Sequence, residues 1–205
     1  DFTKLQALLT MPKNMRGSAT ISSLTGSVTN KGISKDPAGG WRVSVTGKDR
    51  HGHQRDQEHY IPGNRRLGDR LALLKERGGT MKIKAGQPLS SGIVNPRDLL
   101  EVAGMERVRN YLTDEMYGAY KDMGVKRKNM EVMVRSIANL TEVREPGDSG
   151  FLRGDVVPAT LLSAKNRIAV KAGQQPALHK PILKGINEVP LEMQEDWLAR
   201  LQYQK

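Results

Sequence analysis

Cysteine is absent from all 205 residues of the chain. Disulfides, thiolate metal sites and cysteine nucleophiles are therefore excluded together, which suits a reducing cytoplasm. Long apolar runs are missing too: no window approaches the roughly 20 consecutive apolar residues that a helix needs to cross a bilayer, so no membrane partner is expected. The start, Asp1-Phe2-Thr3-Lys4, has neither an initiating methionine nor the charged-then-apolar pattern of a signal peptide. It reads as a cut fragment or a processed chain. A glycine-rich phosphate loop, a paired-carboxylate arrangement, an H-E-x-x-H motif, internal repeats and low-complexity segments are all lacking.

What the chain has in excess is positive charge. Its 37% hydrophobic and 27% charged residues are ordinary for a globular protein with one substantial core or two small ones, but the formal net charge is +11. Residues 1–98 carry 17 Lys+Arg against 8 Asp+Glu, a net of +9, whereas residues 99–205 carry 16 against 14, a net of +2. Basic character concentrated in one half is what a phosphate-facing surface needs, because each cation near a phosphate releases a condensed counterion. The competing reading is a solvated basic face that aids solubility.

Strand signals dominate the first half. After a short amphipathic start around Leu5, Leu8 and Leu9, the β-prone runs Ala19–Leu24, Gly26–Thr29, Trp41–Thr46 and His59–Ile61 are separated by Gly, Asn or Pro. In Trp41–Thr46 the alternation sets Trp41, Val43 and Val45 on one face and Arg42, Ser44 and Thr46 on the other, as in a half-buried antiparallel strand. Lys31–Gly40 reads as a hairpin loop turning at Asp36-Pro37. Helix-like or loop residues from Leu67 then lead to a strand, Thr80–Lys84.

Helix signals follow. Asn95 is placed to cap, and Pro96 to open, a short helix carrying Leu99, Leu100 and Val102, which Gly104 interrupts. Met105, Val108, Leu112, Met116, Ala119 and Met123 recur at spacings of three and four, with Gly124 as the stop and Tyr111 and Tyr120 as flanks. A third helix over roughly Asn129–Leu140 aligns Met130, Met133, Val134 and Ile137 before Pro146-Gly147-Asp148 turns the chain. Gly173–Pro181 reads as a loop leading to a last helix, Leu191–Gln204.

Two constellations imitate catalytic or metal chemistry. Gly147-Asp148-Ser149-Gly150 matches the nucleophile motif of chymotrypsin-like serine proteases, but Phe151 follows where that motif has glycine, and a tight turn explains the same residues. His51, His53 and His59 lack a distinctive ligand spacing, so a polar loop between strands accounts for them better than zinc. The methionines Met105, Met116, Met123, Met130 and Met133 read as core filling.

The run from Asn95 to Asp155 carries the most specific pattern. Its blocks NPRDLLEVAGM, AYKDMGVK, MEVMVRSI and GDSGFLRGD resemble, in the same order, "PHDILRLRGV", "VYRLQGVK", "IEVIVRQM" and "GDTxFLEGE" of the largest catalytic-core subunit, beta-prime, of bacterial-type multisubunit DNA-directed RNA polymerase. That family's "GITKASL" is echoed by Gly185–Leu191, and its "ESFISAASFQ" by Glu195–Gln204. The resemblance covers roughly Ile93–Gln204 well and the earlier part weakly. A shorter loop between Val125 and Met130, the loss of "TKAS" and a reduced "LFEARRPK" block at Leu8–Lys13 mark a divergent homologue of the kind a phage or plasmid encodes.

What this implies is the jaw and adjoining carboxy-terminal core segment. The expected fold class is α+β: a β-rich first half, a jaw or sandwich-barrel-like module, followed by a small helical bundle and a C-terminal helix. The expected divisions are 1–18 after the trigger-loop region, 19–94 the basic β-rich module, 95–145 three helices, and 146–205 a barrel return, loop and last helix. The implied partners are duplex DNA downstream of the active centre and other polymerase subunits or regions, in a cytoplasmic, nucleoid-associated setting. Lys31, Lys35, Arg42, Lys48, Arg50, Arg55, Arg65 and Arg66 are the candidate DNA contacts, chosen on charge and strand placement. The family's "NADFDGD" motif is absent, so this chain has no cofactor of its own, and the magnesium ions of nucleotidyl transfer belong to the whole polymerase. The alternatives are a free-standing nucleic-acid-binding or polymerase-binding regulatory module and, more remotely, a biotinyl- or lipoyl-carrier-like domain at Ala85–Leu89.

Overall fold

A computed structural model describes residues 2–188, so the expected helix Leu191–Gln204 lies outside the described residues. The chain opens with helix α1 (Phe2–Thr10), whose Leu5, Leu8 and Leu9 are buried. It does not join the strands that follow it. The chain divides into two compact units, one of Lys13–Val108 and one in which Asp1–Pro12 joins Arg109–Lys205.

The first unit is built on a five-stranded antiparallel sheet. Strands β1 (Thr25–Thr29) and β2 (Ile33–Lys35), linked by a single 3-10 turn, lie along one edge of β3 (Trp41–Lys48), and β4 (Gln54–Ile61) covers the other edge. Helix α2 (Asp69–Arg77) follows, and β5 (Thr80–Ile83) then pairs with β1. Trp41 is half-buried, Val43 and Val45 are fully buried, and Arg42, Ser44 and Thr46 are exposed, as the alternation predicts. The buried face meets Val28, Ile33 and Ile61 and is closed by Leu71 and Leu74 of α2. Each such leucine contributes roughly 1.5–3 kcal/mol by leaving water. Lys75 of α2 reaches back to donate to the Ile33 carbonyl at 2.5 Å.

Where β1 and β3 meet, Gly26 lies opposite Gly47. A Cβ on Gly26 would stand 1.9 Å from the Thr46 carbonyl oxygen, so only glycine admits this approach. The expected strand Ala19–Leu24 forms only an isolated bridge, Ile21 with Pro88, preceded by another between Ser18 and Ile93. Its regular ladder is displaced by the Ser22 hydroxyl, which donates to the Leu24 carbonyl and accepts from the Leu24 amide. The loop expected at Lys31–Gly40 narrows to a turn over Asp36–Gly40, because Ile33–Lys35 pairs as β2. Likewise β4 begins at Gln54, so only His51 and His53 of the three histidines lie in the connection.

The predicted helix signals recur nearly in place. Helix α3 (Pro96–Ala103) is capped by the Asn95 side chain, which accepts from the Arg97 amide at 3.0 Å, and stops at Gly104. Helix α4 (Met105–Tyr120) buries Val108, Leu112 and Met116 completely. Met123 was expected on the same stripe but is 64% exposed, because a 3-10 turn, Lys121–Met123, takes over from the helix and breaks its period. Gly124 ends that turn in the left-handed region, and α5 (Arg127–Ile137) buries Met130, Met133, Val134 and Ile137.

The second unit also contains a sheet that periodicity did not disclose. Strands β6 (Leu140–Glu145), β7 (Val156–Pro158) and, beyond helix α6 (Ala159–Lys171), β8 (Leu178–Ile182) form an antiparallel sheet in the order β7-β6-β8. Leu140, expected in a helix, starts β6, and Leu178–Pro181, expected in a loop, lies in β8. The class is α+β in both halves. Within this unit α1 is held by an ion pair from Lys4 to Glu115 and an edge-on contact of Phe2 with Tyr120, and Gly185 packs on the Thr10 carbonyl.

Candidate nucleic-acid interface

Charge is uneven between the units. Lys13–Val108 holds 17 Lys+Arg against 9 Asp+Glu, a net of +8, leaving +3 for the rest of the chain. The eight candidate contacts all belong to this basic unit, but the fold spreads them. Lys31 lies in the 3-10 turn between β1 and β2, Arg50 at the β3–β4 tip, and Arg65 and Arg66 in the stretch after β4. Lys35 and Arg55 have the parity of the buried face, at exposed edges of the sheet.

Several are already engaged. Arg42 bridges Asp36 and Glu58, the latter at 2.7 Å, and the guanidinium holds the Asp36 carboxyl below its usual range. Arg50 donates to the Leu100 and Glu101 carbonyls, satisfying acceptors at the end of α3. Arg55 pairs at 3.0 Å with Asp49, whose other oxygen accepts from the amides of His51 and His53 and shapes the hairpin tip. Lys35 lies 5.7 Å from the centre of the Trp41 ring.

Arg42 and Lys48 share the outward face of the sheet, where the register adds groups beyond the eight candidates. Ser27 lies opposite Thr46 on one side and Lys82 on the other, and Thr25 lies opposite Lys48. Lys48 and Lys82 therefore stand on one exposed face with Thr25, Ser27, Ser44 and Thr46 between and beside them. Only long-range pairing brings Lys82 there. Asp56, opposite Thr46, and Glu58, opposite Ser44, place carboxylates along the β4 margin. Lysine ammoniums and small hydroxyls are donors suited to phosphate oxygens and carry no base-reading geometry.

Other constellations take different roles. His59 accepts from the Ser23 amide through Nε2 at 3.0 Å, so the ring proton resides on Nδ1, which is buried and has no hydrogen-bond partner among the described residues. Burial pushes its imidazole pKa down. Ser149 donates to the Pro146 carbonyl at 2.6 Å and accepts from the Phe151 amide, while Asp148 accepts from the Gln175 amide. Both side chains are committed to the turn. Among the described residues, no group of three or more His, Asp or Glu side chains is arranged to hold a metal ion, and no helix is long and apolar enough to cross a membrane.

No protein-family profile matches the chain. Curated relatives do. The chain is 31% identical over 196 residues to the DNA-directed RNA polymerase subunit beta' of Thermodesulfovibrio yellowstonii, covering 93% of this chain and 13% of the relative. The subunit of the same name from Bdellovibrio bacteriovorus is 33% identical over 189 residues, 91% of this chain and 13% of the relative. That of Thermus aquaticus is 37% identical over 124 residues, 60% of this chain and 8% of the relative. The chain thus spans about 13% of the length of its long-matching curated relatives. With that similarity along nearly its whole length, the chain belongs, as a divergent beta-prime-like segment, to the largest-subunit family of bacterial-type DNA-directed RNA polymerase.

Proposed function

We propose that the unit Lys13–Val108 lies against duplex DNA during transcription, and that the second unit packs on other regions of a polymerase assembly. The observation that carries the DNA reading is the outward sheet face, where Lys48 and Lys82 flank a row of hydroxyls within a unit of net charge +8. Each lysine there neutralises one phosphate and releases its counterion, and the hydroxyls add neutral donors that fix register without reading sequence. Arg42, compensated by two carboxylates, contributes less. Nucleotidyl transfer and its magnesium ions belong, on this reading, to other parts of the assembled enzyme. This segment's work is to position the template ahead of them, as a jaw.

The test is binding of the chain to a short duplex at several salt concentrations. A linear fall of log affinity with log salt, indifferent to sequence, is expected, and reversing Lys48 and Lys82 to glutamate should make the slope shallower by about two. An unchanged slope in that variant would remove the sheet face from the interface. Absence of binding even at low salt would remove DNA.

A further inference from the structure

Helix α6 has two sides of different character. Its inner side sets Leu162 into the small core with Val143 and Ala177, and Asn166 pins the returning chain by donating to the Ala177 carbonyl and accepting from its amide. Its outer side carries Leu161, Ala164, Ile168 and, just past the last turn, Ala172, at spacings of three, four and four. In a helix of 3.6 residues per turn these form one stripe. All four are exposed, Leu161 to 45% and Ile168 to 67%.

Single exposed leucines are ordinary on a protein surface, but a stripe at helix-packing period is not a scatter. Large aliphatic side chains alternating with alanines give ridges and hollows into which another helix can seat closely. Charge selects the partner. Lys165, Arg167 and Lys171 flank the stripe and the helix contains no Asp or Glu, while Lys165 is held 4.8 Å over the Phe151 ring beside it. A second copy packed here would set cation against cation, so self-association is disfavoured.

We propose that this stripe is a docking seam for an amphipathic helix of a partner protein, aliphatic on its packing side and bordered by glutamate or aspartate. The seam belongs to the second unit and is independent of the DNA reading.

The test titrates the full chain against a labelled synthetic helical peptide with leucine at heptad positions a and d and glutamate at e and g, followed by anisotropy. The same peptide with lysine at e and g serves as the contrast. Saturable, salt-weakened binding of the glutamate peptide is expected, lowered about tenfold or more by Ile168→Glu. Ile168→Ser should weaken it without adding charge, with the thermal melt unchanged because the side chain is exposed. Failure of the glutamate peptide to bind, equal binding of both peptides, or unchanged binding in Ile168→Glu would each overturn the proposal. So would a dimer in sedimentation that Ile168→Glu dissolves, which would assign the seam to a second copy, or uptake by anionic vesicles without peptide binding, which would assign it to a membrane surface.

Discussion

His59 shows how one side chain can make a fold sensitive to acid. Its Nε2 accepts from the Ser23 amide, a bond that only the neutral ring can make, and burial holds its pKa below the ordinary 6.5. The unfolded chain therefore binds more protons at this position as pH falls through 6.5. The contribution of His59 to stability is full above that value and lost on moving down towards the depressed folded value. Resistance to urea should fall from roughly pH 7 to 5, and His59→Gln, which keeps an acceptor for Ser23 but cannot be protonated, should flatten that dependence. An equal slope in the variant would place the effect elsewhere. Asn95 is a simpler case: Asn95→Ala should lower stability by about 1 kcal/mol, because the Arg97 amide loses its acceptor while the rest of α3 is untouched.

Strands β1 and β3 meet through two glycines, and the space there is fully used: a Cβ on Gly47 would stand 2.2 Å from the Thr25 carbonyl oxygen. Gly47→Ala should cost about 1–3 kcal/mol in unfolding experiments, by prising apart the strands that carry Lys48 and Thr25. On the same sheet Arg42→Gln should change DNA affinity less than Lys48→Glu does, since Arg42 already spends its charge on Asp36 and Glu58; a larger loss in Arg42→Gln would reverse their ranking. Elements with local punctuation were legible in the sequence. Asn95, Pro96 and Gly104 delimit α3, and alternation picks out β3, because caps and pleats are set by near neighbours. The second sheet was not legible: β7 is three residues long, and β8 contains Pro181 and exposes most of its residues. Helix α6 escaped notice because its apolar residues face several ways: Leu162 turns inward, Leu161 and Ile168 share an outer side, and Val170 lies on another. For the candidate site, sequence identified the basic half, but the face joining Lys48 to Lys82 depends on pairing across more than thirty intervening residues.

At the scale of the molecule, the basic unit holds Trp41 and the other tryptophan is Trp197. In a Trp197→Phe variant, tryptophan emission therefore reports on the basic unit alone. Duplex DNA at ten times its dissociation constant should stabilise that unit by about 1.4 kcal/mol, read as a shift of the Trp41 transition, and no shift at saturation would mean that DNA binds elsewhere. The return of the chain to α1 bears on a different matter, the order of events during synthesis. Lys13–Val108 has all its strands once its own residues have emerged, whereas α1, made before that unit, meets Glu115, Tyr120 and Gly185 only after they have been made. Leu5, Leu8 and Leu9 must therefore wait until those later residues have been added before their cover arrives. Within these residues, what is made earlier is among the last to be folded, and a ribosome stalled just past Val108 would display a finished basic module behind an apolar helix that still lacks its cover.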